Sequence, residues 1–128
     1  MIKGINILGF YVTNLVATID FYTKLGFQKT RSDAVTVEFA FESMRLQFMD
    51  KQESKKQGKQ FEEEAFGEPK GIGLYINIEV ENIDEYYKSL KDKGLTPSTQ
   101  PRDWPWGHRE FVIRDPDRYK LVIYQKLK

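Results

Sequence analysis

Apolar and polar positions alternate or cycle in a readable order along the chain. Ile5 to Val12 is rich in β-branched and aromatic residues and predicts a strand. Thr13-Asn14 then offers a helix N-cap, and Leu15, Ile19, Phe21, Tyr22 and Leu25 follow at helical spacing. Gly26 stands where a left-handed glycine would end that helix. Phe27–Thr30 and Val35–Phe41 predict two further strands. Glu42-Ser43 predicts a turn, and Met44–Met49 a fourth strand. A second run begins with a long strand over Ile72–Val80. Asn82 is expected to cap a helix over Ile83–Lys93, with Ile83, Tyr86, Tyr87 and Leu90 on one face and Gly94 ending it. Leu95–Gln100 contains Pro97 and reads as a poor, edge-like strand. Arg109–Arg114, a turn at Asp115-Pro116-Asp117-Arg118, and a last strand over Tyr119–Gln125 complete the run.

The two runs share the order strand, helix, strand, strand, strand. Val12-Thr13-Asn14-Leu15 answers Val80-Glu81-Asn82-Ile83, and Phe21-Tyr22 answers Tyr86-Tyr87. Such self-similarity points to an internal duplication. Asp50–Lys70, dominated by Lys, Gln and Glu and broken by Gly58 and Gly67-Glu68-Pro69, reads as a mobile connection. Phe61 and Phe66 inside it are expected either to fold over a pocket or to pin the loop. The expected organisation is one domain over 1–128, with module one at 1–50, a linker at 51–70 and module two at 71–128.

Strand parity divides each sheet into a face against the helix and a face that lines a cup. Leu8, Phe10 and Val12, then Val35, Val37, Phe39 and Phe41, then Leu46 and Phe48, are expected on the helix side of module one. Leu74, Ile76, Ile78, Leu121 and Ile123 take that role in module two. The cup side then carries Ile7, Gly9, Tyr11, Glu38, Gln47, Met49, Tyr75, Asn77, Glu79, Val122 and Tyr124. Mixed aromatic, apolar and polar lining is the composition of a small-molecule pocket.

Composition narrows the function classes. Lys plus Arg is 20 against 19 for Asp plus Glu, with no basic stripe, so no nucleic-acid partner is expected. Cysteine is absent, which excludes disulfides and thiolate chemistry and suits a reducing compartment. No leader-like N-terminus and no apolar run of roughly 20 residues is visible, so no membrane partner and a cytoplasmic location are expected. Nucleophilic catalysis finds no support: the single histidine, His108, has no evident Ser or Asp partner. Glu38 and Glu110 are conceivable general bases only if burial or a like charge raises them.

Two stretches carry a family resemblance. Val12-Thr13-Asn14-Leu15, continuing through Phe21-Tyr22 to Leu25-Gly26-Phe27, resembles the "V-x-D-L…FY…LGF" opening of vicinal oxygen chelate proteins, with Asn14 for the usual Asp. Trp106-Gly107-His108-Arg109-Glu110-Phe111, continuing to Arg114-Asp115-Pro116-Asp117, is similar to the "WG-x-REF-xx-RDP" signature of bleomycin-resistance-like members. Arg118 replaces the usual Gly of the "DPDG" turn, so that turn is expected to differ in geometry. The resemblance implies an α+β fold of two tandem βαβββ modules, forming curled mixed sheets with helices on the outer face. It also implies a homodimer with ligand sites near the subunit boundary.

Metal-using members of that superfamily place one His, Glu or Gln on the first and one on the fourth strand of each module. Carried over, these positions are Ile7, Gln47, Tyr75 and Val122. Ile and Val offer no donor, and Gln and neutral Tyr are poor ones. No metal and no cofactor is therefore expected, although a shifted register would bring in Asn6 or Glu38. The expected ligand-binding residues are Glu38, Gln47, Tyr75, Asn77, Trp104, Trp106, Glu110 and Tyr124.

Trp104 and Trp106 read either as a hydrophobic plug or as a stacking wall for a planar or cationic ligand. Arg109 and Glu110 read also as a structural pair, with each other or with Arg114 and Asp115. The function expected is metal-free binding or sequestering of a small molecule, as in bleomycin-resistance proteins. The alternatives are a metal-dependent glyoxalase-like lyase or dioxygenase, and a ligand-free partner protein whose cup is filled by its own side chains.

Overall fold

The computed structural model describes residues 1–56 and 65–128 and divides into two units, Met1–Glu68 and Pro69–Lys128. The first contains β1 (Ile7–Val12), α1 (Leu15–Leu25), β2 (Lys29–Ser32), β3 (Thr36–Phe41), β4 (Met44–Asp50) and α2 (Lys51–Lys55). Its sheet runs β1-β4-β3-β2, with β1 parallel to β4 and the other pairs antiparallel. The second contains β5 (Ile76–Glu79), α3 (Ile83–Asp92), β6 (Arg102–Trp104), β7 (His108–Arg114) and β8 (Lys120–Lys126). Its sheet runs β5-β8-β7-β6, again with only the first pair parallel. Each unit is thus a βαβββ module, the same supersecondary motif used twice, and the α+β reading of the sequence holds.

The first core is aromatic. Val12, Val37, Phe39, Phe48 and Tyr22 are fully buried, and Phe10 stacks on Phe48 with centroids 5.0 Å apart. Tyr22 reaches from α1 to Phe48 at 4.5 Å and to Phe39 at 5.8 Å. Local signals set the ends of α1. The Asn14 side chain accepts the Ala17 N–H at 3.0 Å, and Gly26 turns the chain at φ 105°. The second core gathers Ile83, Leu90, Phe111, Ile113, Leu121 and Ile123.

Helix α3 is held by its first turn. Asn82 accepts from Glu85 N–H at 3.2 Å, and the Gln125 side chain on β8 accepts the Ile83 N–H at 2.9 Å. Arg109, on the helix side of β7, donates to Asp84 at 3.0 Å and to Asp103 at 2.9 Å. Those bonds hold its guanidinium above the ordinary arginine value. Arg109 does not pair with Glu110, because adjacent strand residues point to opposite faces, nor with Asp115, whose carboxylate accepts the Asp117 and Tyr119 N–H groups at 2.9 and 3.0 Å in the turn after β7.

Three sequence expectations are corrected. The strand expected over Ile72–Val80 covers only Ile76–Glu79, because Gly71 and Gly73 take left-handed φ of 70° and 88°. Leu74, expected in the core, is 47% exposed in consequence. The edge strand expected at Leu95–Gln100 lies instead at Arg102–Trp104; Ser98 and Thr99 bond to the Val112 backbone from an irregular stretch, and Pro97 and Pro101 have no N–H to give a ladder. Within the expected mobile connection, Lys51–Lys55 is helical, capped by the Asp50 carboxylate, which accepts from Gln52 and Glu53 N–H at 2.9 and 3.1 Å. Phe66 is pinned beneath Lys51, whose Nζ lies 5.2 Å from the ring centre. Gly58 and Phe61 lie outside the described residues.

Candidate functional site

In the second unit, alternation sends Arg109, Phe111 and Ile113 toward α3 and leaves His108, Glu110, Val112 and Arg114 on the helix-free face of β7. On β8 it leaves Lys120, Val122 and Tyr124 there, and on β5 Asn77 and Glu79. The register aligns Glu110 with Tyr124 and Glu79, and Val112 with Val122 and Asn77. On β6, Arg102 and Trp104 join the same face opposite Glu110 and His108.

The turn after β6 folds Trp106 back on Trp104. Gly107, at φ 85°, donates its N–H to the Trp104 carbonyl at 3.1 Å. The two indoles stack with centroids 4.9 Å apart and planes 11° from parallel. The Arg102 guanidinium lies 4.1 Å from the Trp104 ring centre. The Trp106 indole N–H donates to Glu110 Oε1 at 2.8 Å, and His108 Nδ1 lies 3.2 Å from the same oxygen. The His108 ring stacks on Tyr124, 4.3 Å apart. An exposed aromatic plate, 59% exposed at Trp106, is thus locked to a carboxylate that meets both neighbours through Oε1.

Two clefts flank this assembly. One of about 290 Å³ is lined by Tyr75, Asn77, His108 and the shared residues Trp106, Glu110, Lys120 and Val122. The other, of about 440 Å³, adds Trp104, Phe111 and Val112 to that shared set. The second lies in the lower part of the usual size range of small-ligand sites, and the first just below it. Chemically, they offer ring stacking, the Glu110 carboxylate, the Lys120 ammonium, the Arg102 guanidinium and the Asn77 amide. These can bind and orient a planar molecule with a cationic or donor group.

Of the eight residues expected to bind ligand, Tyr75, Asn77, Trp104, Trp106 and Glu110 line these clefts, and Tyr124 supports His108 from below. Glu38 and Gln47 belong to the first unit. They sit side by side in register, with Gly9 on the other side of Gln47. Gln47 lines a hollow of about 270 Å³ with Gly9, Phe10, Tyr11 and Met49. Glu38 lies 3.7 Å from the Arg45 guanidinium. Sequence reasoning passed over His108, Lys120 and Arg102. The two-residue spacing of His108 and Glu110 on a strand was the available signal for the first.

The four positions carried over from metal-using relatives do not fit a metal ion. Ile7 stands opposite Arg45 rather than Gln47, Tyr75 precedes β5, and Val122 faces Asn77. One carboxamide and one neutral phenol are the only donors in that set, and Glu38, the residue a shifted register would recruit, faces a guanidinium instead. Among the described residues, no three His, Cys, Asp or Glu side chains gather as a metal site would need.

A family model described as Glyoxalase/Bleomycin resistance protein/Dioxygenase superfamily matches residues 4–123. A bleomycin resistance protein of Geobacillus stearothermophilus is 42% identical over 52 residues, which is 40% of this chain and 39% of the relative. A bleomycin resistance protein of Staphylococcus aureus matches to the same extent. The chain thus spans 39% of the length of these curated relatives. Among solved structures, a glyoxalase/bleomycin resistance protein/dioxygenase from Nocardioides has a TM-score of 0.81 at 23% identity, covering 100% of this chain and 86% of that one. A glyoxalase/bleomycin resistance protein/dioxygenase family enzyme from Burkholderia phytofirmans PsJN has a TM-score of 0.77 at 21% identity, covering 95% and 98%. At these identities the likeness is one of fold. With the two βαβββ modules and a family match over nearly the whole chain, this protein belongs to the glyoxalase/bleomycin resistance protein/dioxygenase superfamily.

Proposed function

We propose that the chain is a metal-free binding protein that sequesters a small, planar, partly aromatic molecule on the helix-free face of its second unit. The observation that carries this reading is the Trp104–Trp106 stack tied to Glu110. Leaving the Trp106 indole exposed costs solvation that a stacked ligand recovers, and a carboxylate beside an aromatic plate favours a cationic or donor-bearing ring system. The donor set at the metal positions supports binding over lyase or dioxygenase chemistry, because neither Ile7 nor Val122 can ligate an ion. We place this activity in a cytoplasmic homodimer. The absence of cysteine suits a reducing compartment.

Bleomycin, the compound in the name of the bleomycin resistance proteins this chain resembles, is the first probe. A ligand that binds only the folded state raises its stability by about 2.7 kcal/mol at a hundredfold excess over Kd. The expected result is a melting temperature that climbs with bleomycin, or with another planar aromatic cation, in a saturable way. A melting temperature indifferent to bleomycin and to a panel of such cations would refute the proposal.

A further inference from the structure

A third cleft, of about 460 Å³, opens beside the aromatic site and has different chemistry. Its walls carry Lys70, Arg114, Arg118 and Lys120, and no carboxylate lines it. Arg114, Arg118 and Lys120 form no ion pair among the described residues: Arg114 donates to the Arg118 carbonyl at 3.0 Å, and the Lys120 ammonium lies over Tyr75 at 5.7 Å. Gathering cations in one concavity is electrostatically unfavourable unless an anion offsets their repulsion.

The backbone adds a second observation. Arg118 holds φ 74° and is the one non-glycine residue in the left-handed region among those described. A residue with a Cβ is costly there, and glycine, usual at this turn in the resembled family, would be at ease. The chain instead carries a guanidinium at a strained position on the cleft wall. Gly71 and Gly73, both left-handed, also line the cleft. A Cβ on Gly71 would meet the Tyr119 ring at 2.6 Å, so this wall closes only on glycine, whereas at Gly73 nothing lies within 4 Å. The cleft therefore sets two left-handed glycines beside three cations, a combination suited to oxyanion recognition.

We propose that this cleft binds a phosphate group, free or as a monoester, through Arg114, Arg118 and Lys120. Three cations around one group match a dianion better than a carboxylate, and guanidinium forks suit tetrahedral oxyanions. The site shares only Tyr75 and Lys120 with the aromatic clefts and does not rest on the function proposed above.

The test is titration of the full chain with inorganic phosphate, read from the amide resonances of Gly71 and Gly73. Saturable shifts are expected, with acetate binding more weakly. Arg118→Gly should melt higher than wild type, because strain is relieved, and yet bind phosphate about tenfold more weakly. Loss of affinity in a more stable protein cannot come from unfolding. Arg114→Gln should weaken binding as well, and Trp106→Ala should leave it unchanged. No saturable shift up to ~10 mM phosphate, a limit set by the weakest affinities of interest, would overturn the proposal. Equal affinity for acetate, or unaltered phosphate binding in both arginine variants, would do the same.

Discussion

Glu110 accepts the Trp106 indole N–H at 2.8 Å, and this bond fixes the orientation of the outer indole over Trp104. Because Glu110 is fixed on a strand and Trp106 on the turn that precedes it, the carboxylate both positions the plate and supplies its charge. The two roles separate in variants. Glu110→Gln retains a carbonyl acceptor for the indole but removes the charge, so a cationic ligand should bind about tenfold more weakly with Trp emission unchanged in the free protein. Glu110→Ala removes both and should also shift that emission. Calorimetric titration alongside emission spectra checks the pair.

Burial pushes the Tyr86 hydroxyl up to about 12 from its usual 10.0. Between those values an unfolded chain has lost this proton while the folded chain keeps it. The folded state then binds more protons, so stability falls as pH rises from 10 to about 12. Other tyrosines and lysines titrate in the same window, so the comparison is with Tyr86→Phe. Urea denaturation at a series of alkaline pH values should show a shallower decline for the variant. Parallel declines would show that Tyr86 ionises alike in both states.

Much of this fold was legible because its local signals agree with its packing. Asn14 and Asn82 cap the helices they were expected to cap, and the register confirms the face assigned to Glu38, Gln47, Asn77, Val122 and Tyr124. The failures have physical causes. Ile72-Gly73-Leu74 has the apolar content of a strand, but left-handed glycines are invisible to hydrophobic periodicity. Helix α2 has no apolar stripe, and its cap, Asp50, also ends a strand. At the site, Trp104, Trp106 and Glu110 could be named one by one. Their mutual geometry depends on the turn at Gly107, which brings residues of β6 and β7 together in a way that spacing alone does not state.

Exposed apolar side chains bear on assembly. Ile5, Ile7, Ile72 and Leu74 are 70, 43, 76 and 47% exposed. Side chains of this kind, when grouped, commonly mark an interface. Sedimentation at micromolar concentration should report a dimer. A species of 15.1 kDa alone would contradict the proposed homodimer.

The metal-free reading is checked by elemental analysis after mild purification. Substoichiometric Zn, Ni, Mn and Fe are expected, unchanged in Gln47→Ala. One divalent ion per chain, lost in that variant, would restore the lyase and dioxygenase readings.

The central claim, that a ligand stacks on the tryptophan pair, is tested most directly by intrinsic fluorescence. Trp104 and Trp106 are the two tryptophans of the chain, so emission reports this one place. A hit from the melting screen, bleomycin first, is titrated into wild type, Trp104→Phe and Trp106→Ala. The account predicts quenched or shifted emission in wild type. It also predicts affinity reduced roughly thirtyfold in Trp106→Ala, the loss of ~2 kcal/mol typical when a central aromatic contact is truncated. Unchanged dissociation constants in both variants, with emission indifferent to ligand, would contradict it and leave the tryptophans as a structural plug.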